Sequence, residues 1–134
     1  MSVFTEQELE YLGGQRLGRL ATVDSAGNPR VVPVGFRYNP GTDTIDIGGH
    51  DVANSAKWRH AERHPRVAFV VDDVLPPWRP RSVLVNADVE LLQDGGQEIG
   101  PGFAKELMRL HPVRIISWGI DEGKRSSRKV APQD

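Results

Sequence analysis

The chain has no cysteine. That one absence excludes disulfides, thiolate metal ligands and cysteine nucleophiles. Net charge is scarce too: 17 Lys and Arg against 18 Asp and Glu leave −1 at pH 7. No overall field recruits nucleic acid or an anionic membrane, so any basic site has to be local. Aromatic residues make up only 7% of the chain, leaving few candidates for stacking on a planar ligand. No apolar run approaches the ~20 residues that span a bilayer. The opening MSVFTEQELE is acidic and lacks the apolar stretch of a secretory signal. These absences point to a cytoplasmic protein with neither a membrane nor a nucleic-acid partner.

What is present suffices for one domain, since 134 residues can enclose a single core. Thr5-Glu6-Gln7-Glu8 has capping-box spacing, with Phe4 and Leu9 placed for a hydrophobic staple, so a short helix is predicted over residues 5–12. RLGRLATV, the turn-rich DSAGNP and RVVPVGFRY then read as a hairpin, and Thr44–Ile47 alternates like a half-buried strand. Asn54 or Ser55 caps a basic helix that Pro65 ends near residue 64. Residues 66–72 form an apolar run expected to be buried on both faces, and DDVLPPWRPR reads as a stiff proline-rich loop. A long strand follows over 82–92, with Val83, Val85, Ala87, Val89 and Leu91 on one face. Phe103, Leu107 and Leu110 have helical spacing, which predicts a third helix over 102–111 and a last strand over 113–120.

Six strands and three short helices, with hairpin-length connections, indicate a mainly β (α+β) fold built on an antiparallel barrel. Residues 1–121 would form this single domain and 122–134 a mobile basic and polar tail. A barrel this small fills its interior with side chains, so a ligand would lie outside it, at a subunit interface.

The stretch SAKWRHAERHP carries Lys57, Arg59, His60, Arg63 and His64, with a lysine in the first helical turn and no acid there. A cation at that end opposes the helix dipole by about 0.3–1 kcal/mol. Either the side chain simply points into water, or an anion bound there makes both charges useful. Gly48-Gly49, a polar loop and the free amides of a helix start suit a phosphate or carboxylate. His60 and His64 share a helical face but lack both the glutamate of metalloprotease zinc helices and a clear third ligand. They read as solvated surface histidines, and no metal is expected. The basic cluster over 124–129 reads as a solubilising end. Ser55, Ser82 and Ser117 have no nucleophile-elbow setting, and IGGH is not a dinucleotide fingerprint. Trp118 reads as core, and Trp78 as cover for a pocket or a partner subunit.

LATVDSAGNPRVVPVGFRY, IDIGGHDVANSAKWRHAERHPRVAFVVDD, PWRPR and SWGI, in that order, resemble the pyridoxamine-5′-phosphate-oxidase-like split barrels. Within them the chain is most similar to the small coenzyme F420 branch of the flavin/deazaflavin oxidoreductases. The strongest element is Ser55-x-Lys57, followed eight residues later by Pro65 and an apolar strand. The resemblance implies a six-stranded antiparallel split β-barrel (the FMN-binding split barrel) with short flanking helices, forming a homodimer. It implies an oxidoreductase that moves a hydride between coenzyme F420 and an organic substrate such as a conjugated carbonyl. An FMN-dependent oxidase or reductase is one alternative, and a non-catalytic flavin, deazaflavin or ligand-binding protein another.

By the same resemblance, the cofactor lies in a groove at the subunit interface. Ser55 and Lys57 would approach its phosphate, and Arg30 matches an arginine that holds phosphate in the FMN oxidases. Pro33, Val34, Gly35 and Phe36 would run beside the ring, and Gly49, His50, Asn54, Arg79 and Arg81 complete the implied cofactor site. Arg37, His50 and Trp78 are candidate pocket residues, and no side chain is assigned as acid or base. Where the oxidases place a lysine five residues after that arginine, this chain has Gly35, which weakens the FMN alternative.

Overall fold

The structure, a computed structural model, describes residues 1–121 and 124–130. In chain order it comprises α1 (Glu6–Gly13), β1 (Leu17–Val23), β2 (Pro29–Asn39), β3 (Thr44–Ile47), α2 (Ala56–Arg63), β4 (Arg66–Leu75), β5 (Arg79–Leu92), β6 (Leu107–Trp118) and β7 (Arg125–Lys129). Single 3-10 turns occupy Val52–Asn54 and Gly96–Glu98. All strand pairings are antiparallel, in the order β3-β2-β1-β4-β5-β6-β7. β3 also pairs with β6, from Ile45↔Leu110 to Ile47↔Met108, and this closes β1 to β6 into a six-stranded barrel.

Closure is uneven. β1 and β4 pair only from Arg19↔Val70 to Ala21↔Ala68, and beyond that the two strands part. Leu20, Ile45, Ile47, Phe69, Val71, Val83, Val85, Met108, Leu110 and Ile115 fill the interior, each at most 1% exposed. Gly18 faces this core because the Phe69 ring lies 2.3 Å from where a Cβ would stand. α2 closes one mouth of the barrel with Trp58 and Ala61, both buried. No helix among the described residues is long and apolar enough to cross a membrane.

Several expectations are corrected. Residues 102–111 are not a helix: β6 starts at Leu107, with Leu107, Met108 and Leu110 buried. This part of β6 pairs with β5 on one side and β3 on the other, so apolar residues crowd at a spacing that mimics a helical stripe. Pro112 does not end the element. It sits where the β5–β6 register shifts between Asn86 and Ala87, a bulge that tolerates its missing N–H. The two α-helices are therefore α1 and α2.

The tail is not free chain either. Residues 125–129 form β7 against β6, Val130 N donates to Val113 O at 2.8 Å, and Arg128 pairs with the buried Glu8. Glu8 also completes the capping box of α1, donating nothing and accepting the Thr5 amide at 2.9 Å. Residues 122, 123 and 131–134 of the expected tail lie outside the described residues. The proline loop shrinks to Pro76–Trp78, because β4 and β5 pair out to Leu75↔Arg79. β4 buries Val67, Phe69 and Val71 on one face rather than both. In β3 all four residues are buried, Asp46 included, held by Arg109, Asn39 and Thr44. Trp118 is 54% exposed and belongs to the outer surface, not the core.

Candidate functional site

The basic helix is positioned by its two neighbours. After β3 the chain turns at Gly48-Gly49, buries Val52 and enters α2 through Ser55. The Ser55 hydroxyl donates to Val52 O at 2.6 Å while its oxygen accepts the Trp58 amide at 3.4 Å. Its carbonyl accepts the Arg59 amide, so the amides of Ala56 and Lys57 remain at the helix start. Asn54 is exposed, its side-chain amide donating to Asp51 Oδ1 at 2.8 Å. Lys57 is half-buried, and burial holds its ammonium below the usual lysine range. Among the described residues it has neither a carboxylate nor a hydrogen-bond acceptor as partner.

Arg30 joins this end of the molecule through β1. It stands opposite Thr22 in the hairpin, and the buried Thr22 places Oγ1 2.8 Å from His60 Nδ1 on α2. His60 is thus half-buried and bound to the barrel, not a solvated surface histidine; His64 is exposed. Among the described residues no group of three His, Asp or Glu is placed to hold a metal ion.

The strand Pro33–Phe36 divides by its pleat. Val34 and Phe36 point into the barrel, Phe36 edge-on to Phe69 at 5.3 Å, whereas Pro33 and Gly35 face outward. Over Gly35 and Gly48 lies Phe103, with ring atoms 3.1 Å and 2.8 Å from where their Cβ atoms would stand. The same segment bonds its Ala104 amide to Gly49 O at 2.8 Å and accepts His50 Nδ1–H at Gly102 O at 2.9 Å. His50 packs edge-on against Phe103 at 5.3 Å. Arg37 reaches toward Glu98 at 3.5 Å and leaves a buried Nε without a partner.

Arg79 and Arg81 are elsewhere. Arg81 makes two bonds to Asp73, at 2.9 and 2.6 Å, and stacks 4.8 Å above Tyr11, whose hydroxyl donates to the same carboxylate. Burial, then that carboxylate, push the Tyr11 hydroxyl well above its ordinary pKa. Arg81 lines a cavity of about 380 Å3 with Tyr11, Gln15 and Gly119. Asp73 is five residues along β4 from Ala68, roughly 15–20 Å. Within one chain, the structure therefore brings Arg30, Ser55 and Lys57 to one end and leaves Arg79 and Arg81 at the other. Trp78, 75% exposed, caps the tip of the β4–β5 hairpin.

Residues 4–118 match the family described as pyridoxamine 5′-phosphate oxidase. The chain belongs to this family. One relative of this split-barrel protein is the 5a,11a-dehydrotetracycline/5a,11a-dehydrooxytetracycline reductase of Streptomyces rimosus, 44% identical over 120 residues that cover 88% of this chain and 84% of the relative. Among solved structures, a conserved hypothetical protein of Mycobacterium tuberculosis superposes with a TM-score of 0.71 at 21% identity, covering 90% and 88% of the two chains. A pyridoxamine 5′-phosphate oxidase-related, FMN-binding protein of Nostoc punctiforme gives 0.61 at 16% identity, covering 92% and 91%. A heme-binding protein of Mycobacterium smegmatis gives 0.69 at 15% identity, but the split barrel, 92% covered, spans only 57% of that chain. These structural likenesses establish the fold.

Three features of this family member escaped the sequence. The Thr22–His60 contact had a signal, since Gly18, Leu20 and Thr22 fall on the barrel face at a period of two. Phe103 has helical spacing with Leu107 and Leu110, which hides its place over Gly35 and Gly48, and the orphan Nε of Arg37 has no sequence signature.

Proposed function

We propose that the protein is a homodimeric, cytoplasmic oxidoreductase that binds coenzyme F420 and reduces a conjugated carbonyl compound. Family membership and 44% identity to a reductase support the oxidoreductase class. The observation that carries the cofactor reading is Lys57: half-buried, partly desolvated, unpaired among the described residues, at a helix start one turn before His60, which meets the Thr22–Arg30 strand pair. A charge left in that state is unfavourable unless an anion completes it. The cofactor phosphate fits, with Lys57 and the α2 amides as its donors and Arg30 from the neighbouring strand. Bound there in reduced form, F420 would supply a hydride to the carbon β to the carbonyl, and a solvent proton would complete the reduction at the α carbon. By analogy with the Streptomyces rimosus relative, the substrate is a polycyclic compound whose carbon–carbon double bond is conjugated to a carbonyl.

Gly35 supports F420 over FMN. The Phe103 ring lies 3.1 Å from where its Cβ would stand, so a phosphate-pairing lysine at that position would have to push the ring back by a few tenths of an ångström. The outer face of β2-β1-β4-β5-β6 supports the dimer: Val31, Ala21, Ala68, Val70, Leu84 and Ile116 line up across it, and Val31 and Trp118 are 65% and 54% exposed. Such a surface on a small chain calls for a partner, and a self-complementary face gives a two-fold dimer. Fluorescence titration tests the cofactor: F420 should bind more tightly than FMN, and stoichiometric FMN that F420 cannot displace would overturn the proposal. Reduced F420 that binds yet is never oxidised across a broad panel of conjugated polycyclic carbonyls would leave a ligand-binding protein.

A further inference from the structure

The seam between α2 and the β1–β2 hairpin holds one more cation than the phosphate reading uses. Thr22 and Arg30 face each other across the hairpin, so their side chains share a face with Cβ atoms about 5 Å apart. His60 touches Thr22 at 2.8 Å from the other side, and Lys57 precedes His60 by one helical turn on the same face. Arg30, His60 and Lys57 therefore form one strip drawn from two strands and a helix. Among the described residues none of the three is hydrogen-bonded to a carboxylate.

Resting on the cofactor reading above, we infer that His60 is the third cation of the anion site and donates Nε2–H to the phosphate held by Lys57 and Arg30. Thr22 sets this up. Its hydroxyl lies 2.8 Å from Nδ1, and in the tautomer that donates Nε2–H to the phosphate this hydroxyl is the donor to Nδ1. Of the charges near His60, the Asp24 carboxylate interacts with it directly, and bonds from its own turn, more than the imidazole, hold its pKa below the usual range. Asp24 spends one carboxylate oxygen on the amides of Ala26 and Asn28 and the other on the Asn28 side chain. Arg66 and Asp88, from β4 and β5, pair with each other at 2.7 Å. On α2 itself, Arg59, Arg63 and His64 are cationic or titratable, and Glu62 is the one acid; all four are exposed.

Histidine gains its charge as pH falls through the range 8 to 5, so affinity for an anion of constant charge should rise on acidification. Sodium sulfate serves as that anion, with binding read from amide NMR shifts at constant ionic strength. F420 and FMN are titrated in parallel, at pH 6 and pH 8. Wild type should bind sulfate and F420 roughly five- to ten-fold more tightly at pH 6. His60→Gln, whose amide can still meet Thr22, should keep its melting temperature and lose this pH dependence. His64→Gln, at an exposed histidine outside the strip, should retain it. Equal pH dependence in wild type and His60→Gln overturns the assignment even if F420 binds tightly. Sulfate binding with a His60-dependent response, but no affinity for either cofactor, sustains the assignment and overturns the cofactor reading instead. A wild type that binds none of the three probes overturns both.

Discussion

Replacing Lys57 with methionine should move stability and cofactor affinity in opposite directions. In the free protein the ammonium sits half-buried at the start of α2, with no acid in the first turn and with burial already lowering its pKa. Methionine keeps the aliphatic stem, so packing is nearly preserved. Removing the charge relieves an opposition to the helix dipole of about 0.3–1 kcal/mol, which raises the melting temperature of a chain this size by about 1–4 °C. In the proposed cofactor complex the same charge would face a phosphate. Losing that contact costs about 1.5–3 kcal/mol, a weakening of roughly ten- to a hundred-fold.

Arg63, exposed in the last turn of α2, is the control. Arg63→Ala should change affinity by no more than about two-fold, the effect of a screened surface charge. Fluorescence titration with F420 at low salt, beside thermal melts of the free proteins, measures both quantities. A raised melting temperature with unchanged affinity would reduce the basic helix to solvated surface. A melting temperature that falls instead would refute the claim that Lys57 stands uncompensated in the free protein.

Three further outcomes follow from the structure. Arg128→Met strands the Glu8 carboxylate, 1% exposed, and should destabilise the protein by about 3–5 kcal/mol near neutral pH; a loss under 1 kcal/mol in chemical denaturation would mean that β7 does not hold α1. Burial alone would raise the Glu8 pKa, but bonds from Arg128, Thr5 and Ser117 outweigh it and the net shift is downward. That contribution is fully present above the unfolded-state value and is lost as pH falls through the lower folded one, so the gap between wild type and Arg128→Met should narrow below about pH 5. Gly35→Lys drives a side chain into Phe103 and should cost about 1–3 kcal/mol without improving FMN binding; a gain in FMN affinity at unchanged stability would sink the steric argument. Trp118→Glu, placed on the exposed outer face, should give a monomer in sedimentation and abolish cofactor binding with it; a monomer that still binds F420 would show that one chain forms the whole site.

Local chemistry carried most of the fold into the sequence. Thr5 and Glu8, Ser55 and Pro65, and the turn at Asp24–Asn28 each act through neighbours within four residues, or end an element outright, and each lies where its spacing places it. The failures share one cause: a residue's partners lie on distant strands. Leu107 and Leu110 look helical because β3 and β5 bury β6 from two sides, a fact about pairing and not about period. The tail looked soluble because the partners that hold it are far off in sequence: Arg128 pairs with Glu8 across 120 residues of chain. Asp46 looked solvent-facing because Arg109, which neutralises it, comes from β6.

The same distinction governs the site. Lys57 was legible because a cation at a helix start is a local anomaly, visible in three or four letters of sequence. His60 was not, because its meaning depends on Thr22, which depends in turn on the register that sets Thr22 against Arg30. Arg79 and Arg81 show the converse. Resemblance places them at the cofactor, yet in one chain Arg81 is bound to Asp73 and lies at the far end of β4 from Thr22 and Arg30. A two-fold axis running across the strands would carry that end of one protomer onto the α2 end of the other, whereas an axis along the strands would keep like ends together. Hence, in the proposed dimer, the orientation of the two protomers, rather than any further property of the single chain, would decide whether the β4–β5 hairpin and its exposed Trp78 take part in the site.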